Sequence, residues 1–318
     1  MAEQKENLAY VFPGQGAQRV GMGLDLYNRF AAAKDVFDRA DAALSFPLSR
    51  LCFEGPEEEL ANTINAQPAI LTMSLACLKA ASEIAGQLAC PAFVAGHSLG
   101  EYTALVAANV LNFVDAVQLT RERGRLMQEA GKKVPGGMVA IIGLDEVSVE
   151  AVCQETGAQI ANINSPGQIV ISGTKEALVR ATDLARAMGA RHAMPLKVSG
   201  AFHSSLMRPA VEGMAKAISQ VRFHRSTIPI VVNATAKPVT TPDEVKDELL
   251  RQLCDCVRWQ ESVTYMLSAG VSTFVEIGPG QVLSGLIKRI NKEAQTLSVG
   301  DAESISGMGN GDLSVTAT

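Results

Sequence analysis

The stretch "AFVAGHSLGEYTALVAANV", residues 92–110, constrains the fold more than any other part of the chain. A short apolar run reads as a buried strand, and a helical pattern begins at Leu99 with no intervening loop. Between them lies G-x-S-x-G, centred on Ser98, in the strand–turn–helix setting of a nucleophile elbow. The reason is local. A tight strand-to-helix turn crowds the serine backbone, and glycines at positions 96 and 100 remove the side chains that would clash. The hydroxyl then stands at a helix N-terminus, whose amides can stabilise a developing oxyanion. Alone the pentapeptide is a weak signal; its setting is what strengthens it.

Strand-like and helical patterns alternate on both sides of this turn. "LAYVF" (8–12) is the first strand and enters the loop "PGQGAQRVGMG". Helices follow around 30–43 and near "GPEEELA", and "QPAILTMSLACLKAASEIAG" (67–86) has the spacing of a buried helix. "DAVQLTRERGRLMQEAG" (115–131) is a helix closed by Gly131. Beyond residue 199, "IPIVVN" (228–233) and "VSTFVEIG" read as strands, and "TPDEVKDELLRQL" (241–253), "ESVTYMLSAG" and "PGQVLSGLIKRIN" as helices. Such alternation implies an α/β core, a parallel sheet with helices on both faces.

The segment between is different. After the break "KKVPGG", the strand "MVAIIGL" (138–144), the helix "DEVSVEAVCQETG", a hairpin of "AQIANINS" and "GQIVISG", the helix "TKEALVRATDLARAMG" and the strand "ARHAMPLKV" follow in order. Thr174 is the expected cap of the second helix and Gly189 its stop. The β-α-β-β-α-β order is ferredoxin-like. The expected layout is therefore a core from residues 1–131 and 199–300, an inserted α+β subdomain at 132–198, and a mobile tail at 301–318 where periodicity is lost.

Bulk properties exclude several functions. Among 318 residues, 47% are hydrophobic and 19% charged, and the net charge is −5. With no basic run, a nucleic-acid surface is not expected. No apolar stretch reads as the roughly 18 residues that a bilayer span needs, and "MAEQKENLAY" lacks the apolar centre of a signal peptide. A cytoplasmic protein is expected, with an organelle such as the plastid stroma left open. Cys52, Cys77, Cys90, Cys153, Cys254 and Cys256 show no metal spacing and read as reduced thiols, so no metal site is expected.

A serine nucleophile needs a base, and the chain has four histidines. His97 adjoins the serine and is expected to project elsewhere. His192 falls in a strand of the insert, and His224 in the surface-like "RFHRS". His203, in "VSGAFHSSLMRPA", lies where the chain returns to the sheet, and it is the candidate base; a lone loop histidine is equally well just solvated. No convincing acid precedes it, so the elbow lacks a standard triad; a dyad with its imidazole oriented by a backbone carbonyl would suffice.

Seven blocks together resemble the malonyl-CoA:acyl-carrier-protein transacylases, the acyltransferases that load fatty acid synthases. They are "VFPGQGAQ" (11–18), "GHSLGEY" (96–102), "RERGRLMQ" (121–128), "NSPGQIVISG" (164–173), "GAFHSSLM" (200–207), "RQL…VRW" (251–259) and "EIGPGQVLSGL" (276–286). The resemblance covers residues 8–300 and implies a hydrolase-like parallel-sheet core with a ferredoxin-like insert. It implies Ser98 as nucleophile, His203 as base, and the main-chain carbonyl of Gln252 as the group orienting the histidine. The amides of Gln15 and Leu99 would form the oxyanion hole, and Arg123 would hold the free malonyl carboxylate.

From spacing alone Arg123 reads first as a helix-face partner of Glu122 or Glu129. A cation in an acyl pocket suits malonyl and rejects acetyl. Phe202 would fill the space of an α-methyl group, or simply pack, and Asn162 and Asn164 either line the cleft or cap the hairpin. The expected partners are malonyl-CoA and acyl carrier protein, with no cofactor, and the chain is expected to be a monomer. Lys197, Arg208 and Lys288–Arg289 are candidates for a basic carrier-docking patch. A polyketide or malonate-decarboxylase transferase, a hydrolase with the same elbow, and a non-enzymatic carrier-docking protein are the competing readings.

Overall fold

In a computed structural model, the described residues are 6–86 and 88–307. They hold ten strands: β1 Glu6–Phe12, β2 Pro91–Gly96, β3 Gly137–Ile142, β4 Gln159–Ser165, β5 Gln168–Gly173, β6 His192–Pro195, β7 Ile230–Val231, β8 Pro238–Val239, β9 Thr273–Ile277 and β10 Gln295–Val299. Six form one sheet in the order β10-β9-β1-β2-β7-β8, parallel throughout except for the β7–β8 pair.

The alternation of β1 explains why both faces are covered. Leu8, Tyr10 and Phe12 enter one core with the helices Thr63–Ala85 and Phe113–Lys133, and Ala9 and Val11 enter another with Trp259, Phe274 and Leu283. The remaining four strands form an antiparallel sheet in the order β4-β5-β3-β6. The helices Glu146–Thr156 and Lys175–Ala187 cover it, with a separate core around Val139, Ile141, Val149, Ile171 and Ala181. The first of these helices is capped by Asp145 and the second by Thr174. The fold is thus α/β, a hydrolase-like parallel sheet with a ferredoxin-like α+β subdomain. The subdomain is stitched to the larger sheet's side by Val257, whose N–H donates to Ala161 O (2.8 Å) and whose carbonyl accepts from Ile163 N (2.9 Å).

Four expectations need correction. "IPIVVN" contributes only Ile230–Val231 to the sheet, because Val232 and Ala236 close a turn toward β8. Gly131 does not stop its helix, which runs to Lys133; a Cβ there would meet Ser199 O at 2.4 Å, so the glycine serves a close backbone approach. Thr63–Ala85 is, by length and hydropathy, long enough to cross a membrane, but its residues are core to the parallel sheet. The tail is ordered further than expected. β10 adds an edge strand, and the helix Ala302–Gly307 follows, held by Asp25 on Ala302 N (2.7 Å) and by buried Ala302 and Ile305. Residues 308–318, and 1–5, lie outside the described residues.

Gly124 lies at a close approach of the two long helices, where a Cβ would lie 2.5 Å from Thr63 O and 2.7 Å from Ile64 Cα. Gly124→Ala is expected to lower unfolding free energy by about 1–3 kcal/mol through overpacking. Urea denaturation checks this: the midpoint falls with the slope unchanged.

Candidate active site

β2 ends at Gly96 and the next helix begins at Gly100, leaving three residues to turn the chain. Ser98 adopts φ = 50°, a left-handed conformation unusual for a side-chain-bearing residue. A Cβ on Gly96 would lie 1.9 Å from Gly100 C, and one on Gly100 would lie 2.1 Å from Phe12 O. Both glycines are therefore steric requirements of the turn.

His203 reaches this turn from the loop that follows the small sheet. It is 4% exposed, and its own φ is 56°. Its Nδ1 lies 2.7 Å from Gln252 O, and its Nε2 lies 2.7 Å from Ser98 Oγ. A carbonyl only accepts, so Nδ1 carries the proton and the lone pair of Nε2 faces the serine hydroxyl. Burial, and then the charge of Arg123, hold the imidazole far below its ordinary value, down to about 3. It is a neutral acceptor across the physiological range.

Arg123 is 1% exposed and belongs to the helix Phe113–Lys133. One terminal nitrogen donates to Gln67 Oε1 (2.7 Å); the other donates to Gln252 Oε1 (2.8 Å) and to Ser98 Oγ (3.2 Å). All three acceptors are neutral, and Nε has no partner. Glu122 and Glu129, the spacing-based partners, are bound instead by Arg125 on the outer face of the helix. Among the described residues Arg123 forms no ion pair. Its guanidinium also lies over the Tyr102 ring, 5.5 Å from the centroid.

These groups open onto a cavity of about 370 Å³ between the two sheets. Gln15, Leu99, Phe202, Asn162, Asn164 and Lys197 line it together with Ser98, Arg123 and His203. Neither the Gln15 nor the Leu99 backbone amide donates to another described residue. The Gln15 side chain is tied to Thr63 Oγ1 (3.1 Å), which lies 3.1 Å from Ser199 Oγ. His97 does not project elsewhere: it lines the same cavity, its Nε2 2.8 Å from Asn164 Oδ1 and its ring beside Trp259. Arg208 is apart from this cavity, and Lys288 and Arg289 are exposed on the helix Val282–Ile290. Among the described residues no group of three potential metal ligands is gathered.

Sequence reasoning missed Gln67, Asn233 and the side chain of Gln252. Asn233 bridges Gly96 O and Ser98 N, and Gln252 donates through Nε2 to Ser98 O (3.1 Å). Amide side chains carry no spacing pattern, so only the "RQL" block hinted at any of them.

A neutral His203 makes a signed prediction. Its protonated form is the inactive one, and its folded-state value is depressed, so reactivity survives acidification. Modification of Ser98 by phenylmethylsulfonyl fluoride is expected to stay level from about pH 8 to about pH 5, where an ordinary imidazole would titrate at about 6.5. A rate that halves at the ordinary imidazole value refutes it.

Comparison with known proteins bears on what this site does. The family described as "Acyl transferase domain" matches residues 9–309. A malonyl CoA-acyl carrier protein transacylase of Bacillus subtilis (strain 168) is 46% identical over 94% of this chain and 95% of its own length. The like-named protein of Escherichia coli (strain K12) is 46% identical over 89% and 92%. An acyl-carrier-protein-S-malonyltransferase from Bartonella henselae superposes with a TM-score of 0.91 at 43% identity, over 94% of this chain and 97% of that one. A malonyl-transacylase solved in complex with a type II PKS acyl-carrier protein gives 0.91 at 42%, over the same shares of each chain. The buried serine–histidine–arginine constellation thus sits in a chain that belongs to the acyl transferase domain family, among the malonyl CoA-acyl carrier protein transacylases.

Proposed function

We propose that this protein transfers the malonyl group of malonyl-CoA to the phosphopantetheine thiol of an acyl carrier protein, through a malonyl ester on Ser98, in fatty acid biosynthesis. One observation carries the reading: a buried guanidinium with only neutral partners, 3.2 Å from a serine oxygen that also faces a neutral imidazole. A charge buried without a counter-ion costs several kcal/mol, roughly 3–5. A substrate carboxylate next to the reacting carbonyl relieves that cost, and a fork-shaped cation binds it in a fixed orientation. An acetyl group leaves the cation unpaired.

His203 Nε2 takes the hydroxyl proton as Ser98 Oγ attacks the thioester carbonyl. Charge moves to the carbonyl oxygen, where the Gln15 and Leu99 amides donate to it. Collapse expels coenzyme A, protonated by His203, and leaves the acyl ester. The carrier thiol then gives its proton to the same nitrogen as its sulfur attacks the ester carbonyl; collapse breaks the bond to Ser98 Oγ, which takes that proton back from His203, and the malonyl thioester leaves on the carrier. Gln252 O keeps Nδ1–H turned away throughout, so the imidazole offers one nitrogen to both half-reactions. Phe202 closes the space an α-methyl substituent would need, and Asn162 contacts the acyl or pantetheine chain. Each step is supplied by this chain's own groups, so the reaction requires neither metal nor organic cofactor, and a monomer suffices.

Lys197, which lines the cavity, and the exposed Arg208 and Lys288–Arg289 are the basic groups an acidic carrier would meet. We place the reaction in the cytoplasm, where six unpaired thiols stay reduced. Likeness to the transacylase solved with a polyketide carrier favours a second reading, the same transfer onto a polyketide carrier protein.

The test is intact-protein mass after brief exposure to malonyl-CoA or acetyl-CoA. A single malonyl adduct of about 86 Da is expected on wild type and none on Ser98→Ala. Arg123→Ala should form it about 100-fold more slowly or worse, with its preference for malonyl over acetyl lost. Wild type that releases coenzyme A without an adduct, or acylates with both alike, overturns the reading in favour of a hydrolase or an unselective transferase.

A further inference from the structure

We infer that Asn233 is a positioning residue for the nucleophile elbow, and that Glu101 and Glu248 hold it in place. The inference deepens the reading of Ser98 as an acyl-accepting nucleophile and rests on it.

β2 and β7 pair in parallel only at Val94–Ile230 and Ala95–Val231, and the backbone ladder then ends. Two residues beyond β7, the side chain of Asn233 continues it. Asn233 Nδ2 donates to Gly96 O (2.7 Å), and Oδ1 accepts from Ser98 N (2.6 Å). A carbonyl can only accept and an amide N–H can only donate, so the orientation of this amide is set by its partners. A primary amide carries the donor and acceptor of a peptide group on a side chain. Here it bonds the two peptide groups that flank His97 and lead into Ser98, as a neighbouring parallel strand would in a continued sheet.

Asn233 is itself clasped on every side. It is 0% exposed; its N–H donates to Glu101 Oε2 (2.8 Å), and its carbonyl accepts from Arg258 N (3.0 Å). The next amide, Ala234 N, donates to Glu248 Oε1 (2.7 Å). Glu101 lies three residues after Ser98 in the helix that the elbow starts. The elbow helix thus holds the Asn233 backbone, and the Asn233 side chain holds the elbow, in a closed ring of hydrogen bonds. Burial raises both carboxyls above their ordinary values, Glu248 to about 7, which is a cost that a surface helix would not carry.

Two consequences follow for the reaction. Ser98 needs φ = 50°; the Asn233 bonds fix the two peptide groups that lead into its Cα, and Gln252 Nε2 on Ser98 O fixes the one that leaves it, so the disfavoured conformation is held. The Ser98 N–H is also taken out of use, so the Leu99 amide is the first one of the turn that is left to face the cavity. A freed elbow would relax, moving Oγ off the His203 lone pair and shifting the Leu99 amide together with it. Misplacement on this scale slows chemistry without removing any reacting group.

The experiment counts sites and rates separately. Asn233→Ala removes both elbow bonds. Asn233→Asp is isosteric and keeps the backbone bonds to Glu101 and Arg258, but as a carboxylate it cannot donate to Gly96 O, so it is assayed at about pH 8 and above, where the acid is ionised. Each is compared with wild type for the rate and final stoichiometry of modification by phenylmethylsulfonyl fluoride, and for malonyl adduct formation by mass. The inference expects both rates to fall ~10-fold or more, while modification still reaches one group per chain and malonyl remains preferred over acetyl. If rates per modified chain equal wild type, whatever the stoichiometry, Asn233 is structural only and the inference fails. Loss of the malonyl preference also refutes it, since the Arg123 pocket would then have collapsed. Should Asn233→Ala not fold, Asn233→Asp is judged by the same rates. Wild type that reacts with the sulfonyl fluoride but takes no malonyl group would refute the transferase reading, and the sulfonyl fluoride rates would still decide the role of Asn233.

Discussion

Arg123 places a full positive charge where four segments of chain meet. Its own helix, Gln67 from the helix Thr63–Ala85, Ser98 at the elbow and Gln252 after the helix Pro242–Arg251 all converge on one guanidinium. Neutral acceptors hold it, with the Glu101 carboxyl in electrostatic range but not bound to it, and a buried cation without an ion pair is among the more expensive features a fold can carry. The neighbouring helix must approach closely to deliver Gln67, and Gly124 allows that approach against Thr63 and Ile64. Burial, and then the same charge, depresses the pKa of the imidazole beside it. One electrostatic constraint therefore links helix packing, the state of the base and the kind of substrate that the cavity suits.

The two sheets divide the work. The parallel sheet provides the elbow, and its buried faces make that turn rigid. The antiparallel sheet provides the opposite wall through Met138, Asn162, Asn164 and Val170. Val257 joins β4 to the segment that begins with Gln252, so the wall and the orienting carbonyl of His203 are parts of one continuous hydrogen-bonded piece.

Much of this was legible in the sequence. Elements with strong period announced themselves, and the β-α-β-β-α-β order gave the small sheet its 2-3-1-4 pairing, β4-β5-β3-β6 in the whole chain's numbering. Short or edge elements did not. β7 is two residues long, β8 is antiparallel, and β10 is half-exposed at the rim, where alternation is weak. Gly131 has the sign of a helix stop but the function of a spacer, since only the position of Ser199 distinguishes the two. His97 shows the limit on side chains: adjacency to Ser98 suggested divergence, whereas the left-handed turn at Ser98 lets both side chains face the cavity.

By itself the sequence determined the fold class, the place of the elbow, and the identity of the serine, histidine and arginine to consider, because strand and helix periods and paired glycines are local properties. Only the tertiary structure decided that Arg123 turns inward while Arg125 takes the carboxylates outside, that the His203 proton lies toward Gln252, and that Asn233 bridges the elbow. Those outcomes depend on which groups, up to 137 residues apart, meet away from water. There an unmet hydrogen bond or charge is costly enough to choose among side-chain directions that spacing alone leaves equal.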